Sequence, residues 1–441
     1  MKKSNEDTMT LNKSGKRNKR IGAFSVETLK SLAEQYGTPL YLYDGERIQY
    51  KVRKLTDAFQ SRYDSVKIHY AFKANTNLSI VSLLKREGVG AECISKGEMQ
   101  IALKMGYTGE DILFTSSSKS PDELVFAVRN GVTINLDSLG DLENLMTIVN
   151  EIKKKTMVSF RVNPDVDPMT HRHIATGHKY TKFGIHLDGD EIIEAYQAVK
   201  ENPYLEPIGI HSHVGSQILA SEPMKGNAHL LIKAVKRLKK ELNIELKFID
   251  LGGGIGIPYE GGQSEVDIDT MAETVINLLK GELKDVMPLP AIWLEPGRYF
   301  VGDAGLLLTR INSVKHTPHT NFINVDTGFN HQLRPILYEA QHRVLLVGSG
   351  GEEREYDIAG NICETGDIIA EDRILPTPRK GDYLAIMDCG AYGFSMASEY
   401  NSFLLPVELL SLDDKIHLIR KRESFDDLLR NQLIPEELQN A

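Results

Sequence analysis

A chain of 441 residues, 41% hydrophobic and 26% charged, has the make-up of an ordinary globular protein with room for two or three domains, one of them large. Its net charge of −9 excludes the basic surface that a nucleic-acid partner needs. No apolar run approaches the roughly 18 residues that span a bilayer, and three cysteines (Cys93, Cys363 and Cys389) favour a reduced, cytoplasmic compartment over a disulfide framework.

Residues 1–20 are mostly Lys, Arg, Asn, Ser and Thr without an apolar h-region, so they read as a disordered extension and not as a signal peptide. A short helical pattern at 25–33 and a strand-like run at 39–44 follow. Eight short apolar strands are then expected near 66–72, 89–94, 111–115, 132–136, 157–162, 206–212, 246–251 and 291–294. Helical periodicities separate them, such as Ile80-Val81-Leu83-Leu84, Ile192-Ile193-Tyr196-Val199 and Leu230-Leu231-Ala234-Val235-Leu238. Eight strands spaced by helices over about 230 residues predict an α/β protein built on a (β/α)8 TIM-like barrel. A doubly wound open sheet is the alternative, but Gly252-Gly253-Gly254-Ile255-Gly256-Ile257 lacks the last glycine of its dinucleotide fingerprint. Beyond residue 310 the texture changes to Phe322-Ile323-Asn324-Val325, Val344-Leu345-Leu346-Val347 and Tyr383-Leu384-Ala385-Ile386-Met387, punctuated by Gly, Asp and Pro. The barrel is therefore assigned to 46–310, and a mostly β second domain to 311–441 together with 21–45, whose strand at 39–44 is expected to pair into it.

Barrels of this kind keep their chemistry at the C-terminal ends of the strands. Lys73 follows the first strand, Glu92 and Ser95 end the second, and Arg161 ends the fifth. His211-Ser212-His213 with Gly215-Ser216 end the sixth, Asp250 and the triple glycine the seventh, and Glu295-Pro296-Gly297-Arg298 the eighth. A lysine at a core strand's end is partly desolvated, which makes its amine a usable nucleophile toward a carbonyl. The loops after strands seven and eight offer backbone N–H groups from Gly253, Gly254 and Gly297 to a phosphate. A phosphate beside an amine-bearing lysine suggests pyridoxal 5'-phosphate (PLP), with Glu295 facing the protonated pyridine nitrogen and His213 stacking on the ring. A metal-dependent hydrolase is the competing class, because His211 and His213, like His171 and His173, sit two apart and would face one way on a strand. In hydrolase barrels using this pattern it usually lies on the first strand, not the sixth, so no metal is expected.

From about residue 21 onward the chain resembles the diaminopimelate decarboxylase family, fold-type III PLP enzymes with an alanine-racemase-like barrel. The stretches that carry the resemblance are Tyr70-Ala71-Phe72-Lys73-Ala74-Asn75, Gly209-Ile210-His211-Ser212-His213-Val214-Gly215-Ser216-Gln217, Asp250-Leu251-Gly252-Gly253-Gly254 and Glu295-Pro296-Gly297-Arg298. In the second domain they are Arg334-Pro335-Ile336-Leu337-Tyr338, Cys363-Glu364-Thr365-Gly366-Asp367 and Gly390-Ala391-Tyr392-Gly393. The resemblance implies Lys73 as the Schiff-base lysine and His213 as the stacking residue. It implies that Ser216, Gly254 and Glu295 to Arg298 hold phosphate and ring, with Tyr392 reaching the phosphate. Arg298, Arg334, Tyr338 and Glu364 would bind substrate, and Cys363 would donate the proton. It also implies a homodimer in which the Cys-Glu and Ala-Tyr-Gly segments enter the partner's barrel mouth.

Three departures from the family pattern stand out: Glu92 where aspartate is common, Phe114-Thr115-Ser116-Ser117-Ser118-Lys119 in place of a His-Gly-Asn-Asn loop, and Asn401-Ser402-Phe403-Leu404-Leu405-Pro406 without its usual arginine. The expected substrate, meso-diaminopimelate, presents a carboxylate and an ammonium at its non-reacting end. Two arginines suit that carboxylate through planar, bidentate pairing, and Glu364 suits the ammonium. Decarboxylation would leave L-lysine. A related decarboxylase acting on another basic or carrier-bound amino acid is the alternative.

Overall fold

The computed structural model describes residues 10–11, 17–18, 20–164 and 181–439. Thr10–Leu11 pairs antiparallel with Arg17–Asn18; the rest of the stretch read as a disordered extension lies outside the described residues, as do His171 and His173. The chain divides into two compact units, Arg47–Gly302 and a discontinuous one of Met1–Glu46 with Asp303–Ala441.

The first unit is the barrel. Its strands are β1 (Val66–Ala71), β2 (Gly90–Cys93), β3 (Ile112–Phe114), β4 (Thr133–Leu136), β5 (Thr156–Asn163), β6 (Leu205–His211), β7 (Phe248–Asp250) and β8 (Ala291–Leu294). All pair in parallel with their sequence neighbours, and β8 returns to β1 through Ile292↔Val66, which closes the ring. The strands are short β-branched and aromatic runs, which suit a pleated surface covered on both faces. Helices start where serine caps are available: Ser95, Ser120 and Ser138 each accept a hydrogen bond from the backbone N–H three residues on. Ser95, expected among the strand-end site residues, is thus the cap of the helix Lys96–Lys104.

The first strand ends one residue earlier than expected. Phe72 leaves the ladder because Phe72–Ala74 forms a single 3-10 turn, closed by Asn75 N–H donating to the Phe72 carbonyl at 3.0 Å. Lys73 therefore stands on a tight turn at the barrel rim. Inside the barrel, the Phe248 and Trp293 rings stack at 3.6 Å between centroids, and His69 lies against Trp293 at 4.6 Å. Glycine opposite makes room for them: a Cβ on Gly209 would fall 2.1 Å from Phe248, and one on Gly90 would fall 2.7 Å from His69. These contacts fill the barrel interior with side chains, so it is a packed core and not a pore.

The second unit is a mixed sheet. In spatial order it runs Ile368–Pro376, Glu353–Ala359, Asn321–Val325, Gly305–His316, Leu40–Asp44, Val407–Leu412 and Lys415–Arg420. Leu40–Asp44 lies between Gly305–His316, antiparallel, and Val407–Leu412, parallel. Its core gathers Leu40, Leu42, Leu306, Leu308, Ala385 and Leu409. Short helices, Arg334–Tyr338 and Phe425–Leu429, interrupt what the sequence reads as pure β texture.

Candidate active site

All eight barrel strands deliver a polar side chain toward one rim. After β1, Lys73 Nζ donates to Glu92 Oε2 at 2.7 Å, and the other Glu92 oxygen accepts from Thr115 Oγ1. Glu92 is fully buried while the lysine side chain is about a third exposed, so the carboxylate is fixed and the amine faces the opening. The amine thus has a buried acid at its base, a partner that its place at a strand end does not foretell. Two departures from the family pattern, Glu92 and Thr115, are the pair that holds it.

Across the mouth, β6, β7 and β8 bring together His211, Asp250 and Glu295, all buried, with one ligand-type atom of each within 4.8 Å of the others. His211 Nε2 meets Glu295 Oε2 at 3.2 Å, and its Nδ1 meets Asn135 Nδ2 at 3.1 Å; Ser159 Oγ donates to Asn135 Oδ1 at 2.8 Å. Asp250 Oδ1 accepts from the Gly252 N–H at 2.8 Å. Burial alone would raise both carboxyls, but His211, Lys73 and His213 pull Glu295 down to about 2. Asp250 is pushed well up by burial and by the neighbouring Glu295 charge. The two carboxyls thus titrate apart, Glu295 toward the ionised form and Asp250 toward the protonated one. Glu295 Oε1 is buried and has no hydrogen-bond partner among the described residues.

The competing metal reading needs His211 and His213 to face one way, and the ligand-type side chains that come together among the described residues are instead His211, Asp250 and Glu295. Strand β6 ends at His211, so the two-residue alternation stops there, and His213 turns to accept the Gly253 N–H on its Nδ1 at 3.1 Å. Burial, with Arg161 and Lys73 adding to it, lowers the His213 pKa well below the usual imidazole value, which leaves the ring neutral. The triple glycine is required for close packing. Gly252 and Gly254 have φ of +67° and +102°, and a Cβ on Gly253 would fall 2.1 Å from the Glu295 carbonyl oxygen. The Gly253 N–H expected to face a phosphate is engaged by His213.

Arg298 is buried, with one nitrogen donating to Ser216 Oγ at 3.1 Å and another to Tyr259 OH at 2.7 Å. Arg161 is buried beneath the same rim, its guanidinium over the Phe183 ring at 4.3 Å. Sequence reasoning missed Tyr259 and Asn135, whose contacts join positions 39 and 76 residues apart, and singled out Thr115 only as part of an unusual loop and not as the partner of Glu92, 23 residues away.

The remaining expected residues belong to the second unit. Arg334 is buried at the start of the helix Arg334–Tyr338, and Tyr338 is half-buried at its end. Cys363 is exposed. It sits on a turn braced by Asp367, whose two carboxylate oxygens accept the N–H groups of Ile362 and Phe329, each at 2.7 Å. Glu364 next to it is exposed and accepts from Tyr400 OH. Tyr392 takes a left-handed backbone, φ +57°, in the loop after Tyr383–Ile386.

The barrel mouth fits a pyridoxal group. A buried, ionised, half-unpartnered carboxylate suits a protonated ring nitrogen, and a lysine amine stands in the same mouth. The barrel matches, over residues 48–302, the family of pyridoxal-dependent decarboxylases through their pyridoxal binding domain. The chain is 43% identical over 420 residues, 95% of its length and 96% of the relative's, to the diaminopimelate decarboxylase of Methanothermobacter thermautotrophicus. Among solved structures it superposes on the diaminopimelate decarboxylase of Methanocaldococcus jannaschii in co-complex with L-lysine with a TM-score of 0.90, at 34% identity over 98% of this chain and 99% of the other. The Helicobacter pylori enzyme complexed with L-lysine gives 0.85, at 38% identity over 91% and 98%. Fold and site together define a PLP-dependent decarboxylase of the alanine-racemase-like class. Within that class the chain belongs to the diaminopimelate decarboxylase family.

Proposed function

We propose that this chain decarboxylates meso-2,6-diaminopimelate to L-lysine and CO2, the last step of lysine biosynthesis, with pyridoxal phosphate as cofactor. The observation that carries the reaction class is the ionised Glu295 with its unpartnered Oε1, set in the same mouth as Lys73. Bound pyridoxal phosphate supplies an electron sink for the pair left on the α-carbon when CO2 departs. Every other part of the chemistry falls to side chains.

Lys73 Nζ would hold the aldehyde end of the cofactor, with Glu92, itself held by Thr115, fixing that amine at the rim. Glu295 would face the protonated ring nitrogen, and neutral His213 would cover a ring face. Ser216, Gly254, Pro296, Gly297 and Arg298, with Tyr392, would hold the phosphate end. Arg298, Arg334, Tyr338 and Tyr392 orient the substrate, Glu364 receives its distal ammonium, and Cys363 Sγ delivers a proton to the α-carbon. Cys363 and Glu364 are exposed on a braced turn, a placement that suits entry into the barrel mouth of a second copy. The active enzyme is then a homodimer. Two buried thiols and one exposed one, all unpaired, suit a reduced, cytoplasmic setting, and among the described residues no helix is long and apolar enough to cross a membrane.

A CO2-release assay against a panel of amino acids tests this reading. Meso-diaminopimelate is expected to be the preferred substrate by kcat/KM. Faster release from L-lysine or L-ornithine would contradict it and support the alternative basic-amino-acid decarboxylase.

A further inference from the structure

Arg334 is held by a histidine that none of the expected site motifs contains. His342 is buried and sits between two fixed points. Its Nδ1 lies 2.8 Å from the Met387 carbonyl oxygen, which can only accept, so Nδ1 carries the hydrogen. Its Nε2 lies 3.0 Å from Arg334 NH1 and 2.9 Å from Gln332 Nε2. A guanidinium can only donate, so Nε2 is the bare, accepting nitrogen. The two contacts together fix His342 as the neutral Nδ1–H tautomer, with one lone pair directed at Arg334.

The segment bearing His342 is itself clamped. Arg343 forms a bidentate pair with the fully buried Asp388, Nε to Oδ2 at 2.9 Å and NH2 to Oδ1 at 2.8 Å. The Met387 N–H donates to the Arg343 carbonyl at 2.8 Å. Asp388, the buried acid whose ionisation Arg334 favours, is thereby committed to Arg343. His342 is thus a neutral acceptor that orients Arg334 without neutralising it. A carboxylate in the same place would orient the guanidinium equally well but neutralise it.

We infer that His342 is a specificity-determining positioning residue: its Nε2 lone pair fixes the plane in which the Arg334 guanidinium is presented to the substrate's distal carboxylate. The inference rests on the reading of Arg334 as the residue that receives that carboxylate. Decarboxylation removes the carboxylate at the reacting end, so the product L-lysine retains the distal one, whereas 1,5-diaminopentane has neither. The pair of ligands isolates the contact.

The experiment uses the holoenzyme and compares His342→Phe, which fills the space without an acceptor, with His342→Gln, which restores one. His342→Phe is expected to raise the KM for meso-diaminopimelate and the inhibition constant of L-lysine by roughly tenfold, about 1.4 kcal/mol. Inhibition by 1,5-diaminopentane and the visible absorbance of the lysine-bound cofactor should stay unchanged, and His342→Gln should recover most of the loss. If the Phe variant does not fold, His342→Asn, which can reach Met387 but not Arg334, takes its place with the same expectation. L-lysine inhibition unmoved in the acceptor-less variant but weakened in Arg334→Ala would overturn the role of His342 alone. Equal weakening of L-lysine and 1,5-diaminopentane would overturn it as general damage. L-lysine inhibition unmoved in Arg334→Ala would overturn the reading of Arg334, and this inference with it.

Discussion

The rim of the barrel and the Cys363–Glu364 turn of the second unit are built on opposite plans. At the rim, Glu92, His211, Asp250, Glu295 and Arg298 are buried and hydrogen-bonded to one another or to Thr115, Asn135, Ser216 and Tyr259. Their charges are biased before any ligand arrives, as Glu295, held down to about 2, beside Asp250, pushed up by burial, illustrates. The turn instead exposes its two reactive side chains and spends its buried acid, Asp367, on bracing its own backbone. The contrast separates two tasks. Tuning an electron sink needs a low-dielectric, prewired cluster, while delivering a proton to a substrate seated elsewhere needs a stiff loop with an accessible tip.

The first way to break this comparison is at the turn. Cys363→Ala should lower kcat by roughly 10²–10⁴-fold, the range for removing a positioned proton donor, while the cofactor's visible absorbance persists. Simultaneous loss of absorbance and activity would place Cys363 in cofactor binding and erase the distinction. Next in size, Arg334→Ala removes a charge from the substrate's distal carboxylate and should cost on the order of 2–5 kcal/mol in kcat/KM for meso-diaminopimelate. Unchanged kcat/KM would exclude that contact. On the barrel side, Phe248→Ala opens a cavity under Trp293 and should destabilise by about 3–5 kcal/mol in denaturant unfolding, with the pKa behaviour of the rim retained if rim and floor are independent.

The smallest effect is a pH slope. Burial, aided by Lys67, holds His69 down to about 3, so between roughly pH 3 and the unfolded value near 6.5 the unfolded chain binds a proton that the folded chain does not. Stability from this group is therefore complete above about pH 6.5 and falls as the pH drops through that window, by up to about 1.4 kcal/mol per pH unit. His69→Leu should flatten urea midpoints measured between pH 6.5 and 4. A slope identical to that of the parent protein would show that His69 titrates as a solvated group.

Strand positions were the most legible part of the fold, since β-branched and aromatic runs of four to seven residues bounded by polar turns have few other uses. Phe72 was misplaced because an aromatic residue continuing a strand pattern looks the same whether the ladder continues or, as here, a 3-10 turn begins. Lys73, His213, Glu295 and Arg298 could be singled out because each stands just past an apolar run. The wiring between them could not. Asn135 and His211 are 76 positions apart, His211 and Glu295 84, and Arg298 and Tyr259 39, and only closure of the barrel makes them neighbours. The same holds for His342, whose role depends on which atoms face Arg334 and Met387 and not on any motif. The His-x-His spacing carries no strand alternation for a local reason: its second histidine lies beyond the last strand residue.

The central claim is that Lys73 Nζ bears the cofactor within a mouth organised by Glu92 and Glu295. Borohydride reduction of the PLP-loaded protein, followed by peptide mass analysis, tests it most directly. The pyridoxyl group is expected on Lys73 alone, and the Lys73→Ala protein should be colourless and unlabelled; a label on another lysine, or a visible band that survives in Lys73→Ala, would contradict the account.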